Sequence, residues 1–450
     1  MNVHYLSNEV SEAPKRVAVI GSGISGVSAA WLLHEAHDVA LFEAESRFGG
    51  HTCTVDIDYD GKDISVDVGF IVFNERNYPN LCGLFERLGV KTETSNMSFS
   101  VSLDGGEREW CGQGLNAVFA QRRNLISLGF WKMLAEVLRF NRIALKDRDT
   151  GFMQAMTIGE YLAARRFSKR FTSDYLIPMG AAIWSTPEVK MLEFPAKAFI
   201  NFFENHRLLE ISPPFWKTVS GGSKNYHQKM IAALGSRAKA NMPVASVKRD
   251  GIECVVTFES GKTERFDHVI LATHSDQALK LLADADETET KILSDVGYKE
   301  NRVVLHRDTR FMPTRKAAWA AWNALQDSKN PDGDISLTYW MNRLQNIDED
   351  YPLFVTLNPA FEPEPGTVFG EWSFAHPQYD TAAFDAQTRL PEIQGTRNIW
   401  FAGAWTGYGF HEDGLKSGMA AAMALGARVP WPTSVKATSP PPASALEAAE

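Results

Sequence analysis

The sequence predicts an α/β protein in which a dinucleotide-binding half, built around a parallel sheet, is interleaved with an α+β half. Three observations predict it. A short apolar run, Arg16-Val17-Ala18-Val19-Ile20, stops at Gly21-Ser22-Gly23-Ile24-Ser25-Gly26, a G-x-G-x-x-G stretch that opens a helical segment. Apolar runs of the same buried-strand type recur far downstream, at Asp267–Thr273 and Asn398–Gly403. Ahead of the first of these, residues 244–266 switch to a period of two with a turn at Ser260-Gly261-Lys262, as antiparallel strands do.

The first unit runs from Lys15 to Glu43. The strand over 16–20 is followed by a helix expected over about 25–37 and by a second buried strand, Asp38–Glu43, giving a strand, helix, strand unit of the dinucleotide type. Gly21 permits the tight turn, Gly23 lets backbone approach a pyrophosphate, and Gly26 allows close helix packing, while the helix N-terminus faces the phosphate charge. Glu43 ends the second strand, where a carboxylate accepts hydrogen bonds from ribose hydroxyls and repels a 2'-phosphate. NADP is thereby disfavoured; NAD and FAD both fit.

Residues 115–146 read as one long helix with apolar positions at Leu115, Val118, Phe119, Leu125, Leu128, Trp131, Leu134, Leu138 and Ile143 and basic residues between them. Such a helix either covers a substrate cavity, the preferred reading, or lies peripherally on the anionic inner face of a membrane. Near the C-terminus Gly414, Gly418 and Ala422 recur every four residues and leave one helix face without bulk. The tails 1–14 and 433–450, the latter rich in Pro and Ala, are expected to be disordered.

Composition narrows the function. With 450 residues the chain can bury roughly three-quarters of its unfolded surface, enough for a deep pocket. A net charge of -9 argues against nucleic acid as a partner. The four cysteines form no C-x-x-C pair, which fits a reducing, cytoplasmic setting and no metal site. No apolar run reaches the roughly 20 residues of a membrane span, and Met1–Pro14 lacks the pattern of a signal peptide. His34-Glu35-Ala36-His37 is one residue short of a zinc-binding H-E-x-x-H, and His306-Arg307-Asp308 lacks the other parts of a kinase site.

The stretch Glu43-Ala44-Glu45-Ser46-Arg47-Phe48-Gly49-Gly50-His51 resembles the E-A-x-x-R-x-G-G-R segment of the flavin amine oxidase superfamily, which includes monoamine oxidases, phytoene desaturases and protoporphyrinogen oxidase. His51 stands where that family usually has Arg. Further landmarks resemble the family in order: Val66-Asp67-Val68-Gly69, Gly221-Gly222 with Tyr226 and Met230, Val244, Ala272-Thr273, Phe401-Ala402-Gly403-Ala404-Trp405-Thr406, and Glu412-Asp413-Gly414-Leu415-Lys416-Ser417-Gly418. The resemblance implies a Rossmann-like FAD-binding domain over 15–75, 217–282 and 395–430 and a substrate domain over 76–216 and 283–394. It implies non-covalent FAD held by Gly21, Ser22, Gly23, Ile24, Ser25, Gly26, Glu43, Ala44, Arg47, Gly49, Gly50, His51, Thr52, Gly69, Phe70, Val244, Ala272, Thr273, Gly403, Ala404, Asp413, Gly414 and Leu415.

Two departures bear on the substrate. Amine-oxidising relatives cage the amine between aromatic rings, one a Tyr just before E-G-A; here Phe410 fills that slot and Trp405 replaces a usual Glu. Together with Tyr339 these residues are expected to line the substrate pocket. The wording Tyr339-Trp340-Met341-Asn342-Arg343-Leu344-Gln345 and Gly407-Tyr408-Gly409-Phe410-His411-Glu412-Asp413-Gly414 is similar to bacterial FAD-binding proteins that resemble enzymes acting on unsaturated or methyl-branched fatty acyl chains. The resemblance implies hydride transfer between flavin N5 and an apolar or lipid substrate, with His411 and Tyr408 as candidates for any proton transfer. An amine oxidase and a non-catalytic FAD-binding accessory of a lipid-modifying enzyme are the alternatives.

Overall fold

The structure, a computed structural model, describes residues 13–210, 215–327, 330, 333 and 335–439. Arg16–Ile20 form strand β1, Ile24–Leu33 helix α1 and Asp38–Phe42 strand β2. β1 pairs in parallel with β2 on one side and with His268–Leu271 on the other, which pairs in turn with Ile399–Phe401; Ala238–Lys239 extends the sheet beyond β2. Both faces of this sheet are covered, so its strands are continuous apolar runs with Val17, Val19, Val39, Leu41, Val269 and Ile270 buried.

The register decides where the site lies. Ile20 pairs with Phe42 and Leu271, and Leu271 with Phe401, so Gly21, Glu43, Ala272 and Ala402 leave the sheet side by side. Ligands of open parallel sheets bind beyond these carboxyl ends.

α1 stops at Leu33, earlier than the expected 37. His37 accepts from the Lys15 backbone N–H at Nδ1 and donates from Nε2 to the Leu425 carbonyl at 2.8 Å, which fastens the turn instead of extending the helix. The C-terminal helix, His411–Ala424, crosses α1 at very short range. A Cβ on Gly418 would stand 2.1 Å from the Ser25 carbonyl oxygen, so the small-residue face seen in the sequence packs on α1 backbone.

The rest of the chain builds a seven-stranded sheet in the order 368–378, 297–306, 354–357, 336–340, 322–326, 99–103, 108–111, antiparallel except where 322–326 meets 99–103. Helices over Leu128–Asp149, Ile158–Ala164, Ile177–Trp184 and Ala196–Asn205 form the accompanying layer, with Phe130, Phe140, Phe199 and Phe203 fully buried. Strands of the two large sheets thus alternate along the chain, and a three-stranded meander, Val244–Asp250, Glu253–Phe258 and Thr263–Phe266, leads back into the parallel sheet.

Two further expectations are corrected. The single helix over 115–146 is a short helix Gly114–Val118, a 3-10 turn Arg122–Ile126 and a helix Leu128–Asp149. The first helix ends at Val118, and the second break falls at Ser127, whose hydroxyl caps the Phe130 N–H, a local bond that competes with continuing the helix. Residues 1–12 and 440–450 of the expected tails lie outside the described residues, whereas 433–439 are anchored: Thr433 Oγ1 donates to Asn80 Oδ1 at 2.6 Å and the Thr438 N–H to the Ala420 carbonyl.

The helix crossing makes a direct prediction. Gly418→Val drives a branched side chain into α1 backbone and should destabilise the protein by about 3 kcal/mol or more, read as a lowered Tm, while Gly297→Ala, where an added Cβ meets nothing within 4 Å, should change it little.

Candidate cofactor and substrate site

The cradle is assembled on one buried serine. Ser22 donates its N–H (3.0 Å) and its hydroxyl (2.5 Å) to Glu43 Oε2, and its Oγ accepts the Gly49 N–H at 2.9 Å. Its carbonyl accepts from His227 Nε2 at 2.9 Å; burial lowers the pKa of that imidazole to about 4, so the ring is neutral and its Nε2 carries the proton. Around this residue Gly21 has φ +98° and a Cβ on Gly26 would lie 1.9 Å from the Gly21 oxygen, which only glycine tolerates. The backbone at Gly23, by contrast, has no atom within 4 Å of an added Cβ and opens into the cavity at the start of α1.

Arg47 folds the next turn. Its guanidinium donates to the carbonyls of Thr52, Gly50 and Phe48 at 2.9, 2.8 and 3.2 Å, fixing Gly49 and Gly50 at positive φ. Beyond it His51 is half-buried, and its buried Nε2 has no protein partner. The ring lies 5.5 Å from His376, 6.3 Å from His274 and 4.8 Å from Phe374. Burial first, and then the neighbouring His376 and His274, hold His51 well below the ordinary histidine range, so this position offers a neutral donor or acceptor where an arginine would offer fixed charge.

These residues face a continuous cavity of about 1310 Å³, larger than the ~300–1,000 Å³ of a pocket for one small molecule. Of the predicted cofactor residues, Gly21, Ser22, Gly23, Ile24, Ser25, Glu43, Ala44, Arg47, Gly49, Gly50, His51, Gly69, Phe70, Val244, Ala272, Thr273, Gly403 and Ala404 line it, as do Phe410, Trp405, Tyr339, Tyr408 and His411.

Gly26, Thr52, Asp413, Gly414 and Leu415 stand outside that lining and act on the frame. Asp413 accepts the Tyr408 and Phe410 N–H groups and so shapes the loop before the C-terminal helix. Gly414 packs on Ile24, Leu415 is fully buried, and the Thr52 hydroxyl shares a 2.6 Å hydrogen bond with Tyr226.

His411 belongs to the same network: the Tyr226 hydroxyl is 2.6 Å from its Nε2, and its ring stacks on Phe70 at 3.9 Å and 9°. Burial lowers its pKa to about 3, so it is a weak proton acceptor that positions Phe70 and Tyr226. Glu412 turns away to accept the N–H groups of Asn80 and Leu81 at the start of helix Pro79–Leu88. Trp405 donates Nε1 to the Thr273 carbonyl at 3.2 Å, tying the two returning strand ends together.

The sequence gives no site role to His227, His274 or His376. Only His227 had a local signal, lying five residues after Gly222 on the helix that faces the glycine turn.

A dinucleotide flavin fits this donor set: an open glycine turn at a helix N-terminus, a strand-end carboxylate for ribose hydroxyls, and an orphaned imidazole nitrogen farther along the same wall. A family model described as flavin containing amine oxidoreductase matches residues 24–350. The chain belongs to the flavin-containing amine oxidoreductase family. FAD is its cofactor, and by family it is a FAD-dependent oxidoreductase.

Among solved structures, a CLA-producing fatty acid isomerase from P. acnes aligns with TM-score 0.63 and 15% identity, covering 91% of this chain and 98% of that one. Putrescine oxidase bound to putrescine aligns with TM-score 0.63 and 15% identity over 92% and 99% of the two chains. Cyclohexylamine oxidase from Brevibacterium oxydans gives 0.61 and 16% over 92% and 99%. A lysine-specific histone demethylase 1B homolog of Caenorhabditis elegans is 41% identical over 86 residues, and an L-amino acid oxidase of Cerastes cerastes 47% over 49, which are 18% and 11% of this chain. The chain matches about a tenth of the length of each of these two relatives.

Two measurements check the cradle. Ser22→Ala removes a hydrogen bond to a carboxylate and an acceptor for Gly49, and should weaken FAD binding about 10- to 100-fold by fluorescence titration. His411 remains neutral in the folded protein down to about pH 3 but takes a proton near 6.5 when unfolded, so its contribution to stability falls as pH drops below about 6.5. The Tm deficit of His411→Asn relative to the parent should therefore shrink between about pH 7.5 and 5; a constant deficit would contradict the assignment.

Proposed function

We propose that this chain transfers hydride between flavin N5 and an elongated apolar substrate, an unsaturated or methyl-branched fatty acyl chain, as a desaturase, reductase or double-bond isomerase. The observation that supports it most is the packing of Phe410. Its ring stacks with Phe202 at 5.0 Å and 25°, with His206 stacked on Phe202 at 3.8 Å. An ammonium held by cation–π attraction needs an open ring face within about 6 Å, and the face of Phe410 that meets Phe202 has no such gap.

The walls that continue from Phe410 are suited to hydrocarbon. Phe99, Trp110, Tyr175, Met179, Ile183 and Trp322 line the cavity with Tyr339. Of the four carboxylates on its wall, Glu43 and Glu45 flank the Ser22 turn, Glu210 pairs with Arg207, and Glu300 accepts from Ser373. Bound FAD supplies hydride acceptance and donation. The chain supplies an aromatic and aliphatic wall, a loop fixed by Asp413 and, in His51 and His411, imidazoles kept neutral by burial. Tyr408 lines the cavity with its phenol pushed above the ordinary range by burial, so it remains protonated and can donate a hydrogen bond without acting as a base.

The structural relatives include both a fatty acid isomerase and amine oxidases, so their shared fold leaves the substrate open. The purified holoprotein, mixed anaerobically with polyunsaturated fatty acids, amines or NAD(P)H, should convert the fatty acid and leave amines untouched. Bleaching of the flavin band by an amine alone would favour the amine oxidase reading instead; a protein that binds FAD but turns over neither would point to the accessory role. Phe202→Ala removes one ring of the stack and should raise KM for the acyl substrate about three- to tenfold.

A further inference from the structure

We infer that the segment 114–142 docks this protein on an anionic lipid bilayer. Six of the twelve large apolar side chains exposed among the described residues fall between 115 and 138, so the apolar surface is concentrated here. Ile126 and Leu128, at 87% and 86% exposure, form the tip where the 3-10 turn Arg122–Ile126 meets the helix Leu128–Asp149. Trp131 Nε1 donates to the Leu125 carbonyl at 3.0 Å and fixes that tip to the helix. Leu128, Trp131, Ala135, Leu138 and Arg142 then recur at helical spacing as one exposed stripe.

Charge selects the partner. The whole chain has a net charge of -9, yet residues 112–146 contain six basic residues and one acidic residue. That acidic residue, Glu136, is buried and accepts from the Ser168 N–H at 3.1 Å, so the exposed side of the segment presents no carboxylate. Arg122, Arg123 and Lys132 are exposed beside the apolar tip, and a cleft of about 640 Å³ at its root is lined by Arg123, Lys169 and Arg170. Apolar side chains that enter the acyl boundary, with cations at headgroup level, are what an interfacial contact with an anionic membrane requires. The location adds a reason: Gly112 and Gln113, just ahead of this segment, are exposed and also line the large cavity, so the cavity meets the surface next to the proposed contact.

The contact is independent of the acyl reading, because vesicle binding is read without any substrate. FAD-loaded full-length protein is floated with phosphatidylcholine vesicles containing roughly one third phosphatidylglycerol, and with phosphatidylcholine alone. The parent should float with the anionic vesicles at low ionic strength and be released by high salt. Ile126→Asp with Leu128→Asp, and separately Arg122→Gln with Lys132→Gln, should each lower the bound fraction at least about tenfold while the flavin absorbance is unchanged. A parent that remains in the soluble fraction, or charge variants that bind as the parent does, would overturn the proposal. So would a solution dimer, seen by analytical ultracentrifugation, that Ile126→Asp with Leu128→Asp dissolves, since the face would then belong to a second copy of the chain.

Discussion

Ser22 is the point on which the cofactor half depends. A single buried residue fastens four parts of the chain: the β1–α1 turn in which it sits, the end of β2 through Glu43, the Gly49 turn, and the helix Lys224–Leu234 through His227. The bond to Glu43 is charge-assisted, and no water is needed to satisfy either partner, which makes the turn rigid before any ligand arrives. Preorganisation of this kind lowers the ordering cost of binding a long cofactor.

The substrate half is held differently. Its helical layer is closed by aromatic stacking, Phe199 on Phe203 at 4.2 Å and Phe202 on Phe410 at 5.0 Å, the second of these reaching from one half of the molecule to the loop beside the cofactor. The same contact shapes the cavity wall and joins the helix Ala196–Asn205 to the loop before the C-terminal helix. Tyr226 supplies a polar link among the cofactor segments themselves, joining Thr52 to His411 at the start of the C-terminal helix.

Much of this was legible in the sequence. Buried parallel strands are uninterrupted apolar runs, so the runs at 16–20, 38–43, 267–273 and 398–403 could be read directly, and the spacing after the glycine turn marked Glu43 as a strand-end carboxylate, which the structure holds against Ser22. What could not be read were bonds between distant residues. Nothing in local pattern places Tyr226 against His411, 185 positions away, or Phe202 over Phe410. The loop bonds of Asp413 and the full burial of Leu415 were not legible for a related reason, since the pattern marks a helix N-terminus without saying which side chains line the cavity and which hold the loop. Apolar periodicity continues across 115–146, although the first helix ends at Val118 and the Ser127 hydroxyl begins another.

The central claim is that a rigid cradle around Ser22 recognises the adenosine and diphosphate of FAD, leaving the apolar cavity to receive the substrate. Titrating the apoprotein with FAD, FMN and NADP, each followed by fluorescence, tests it most directly. The account predicts one FAD per chain, bound at least about 100-fold more tightly than FMN, and no competition from NADP. Equal affinity for FMN, or displacement of FAD by NADP, would contradict it.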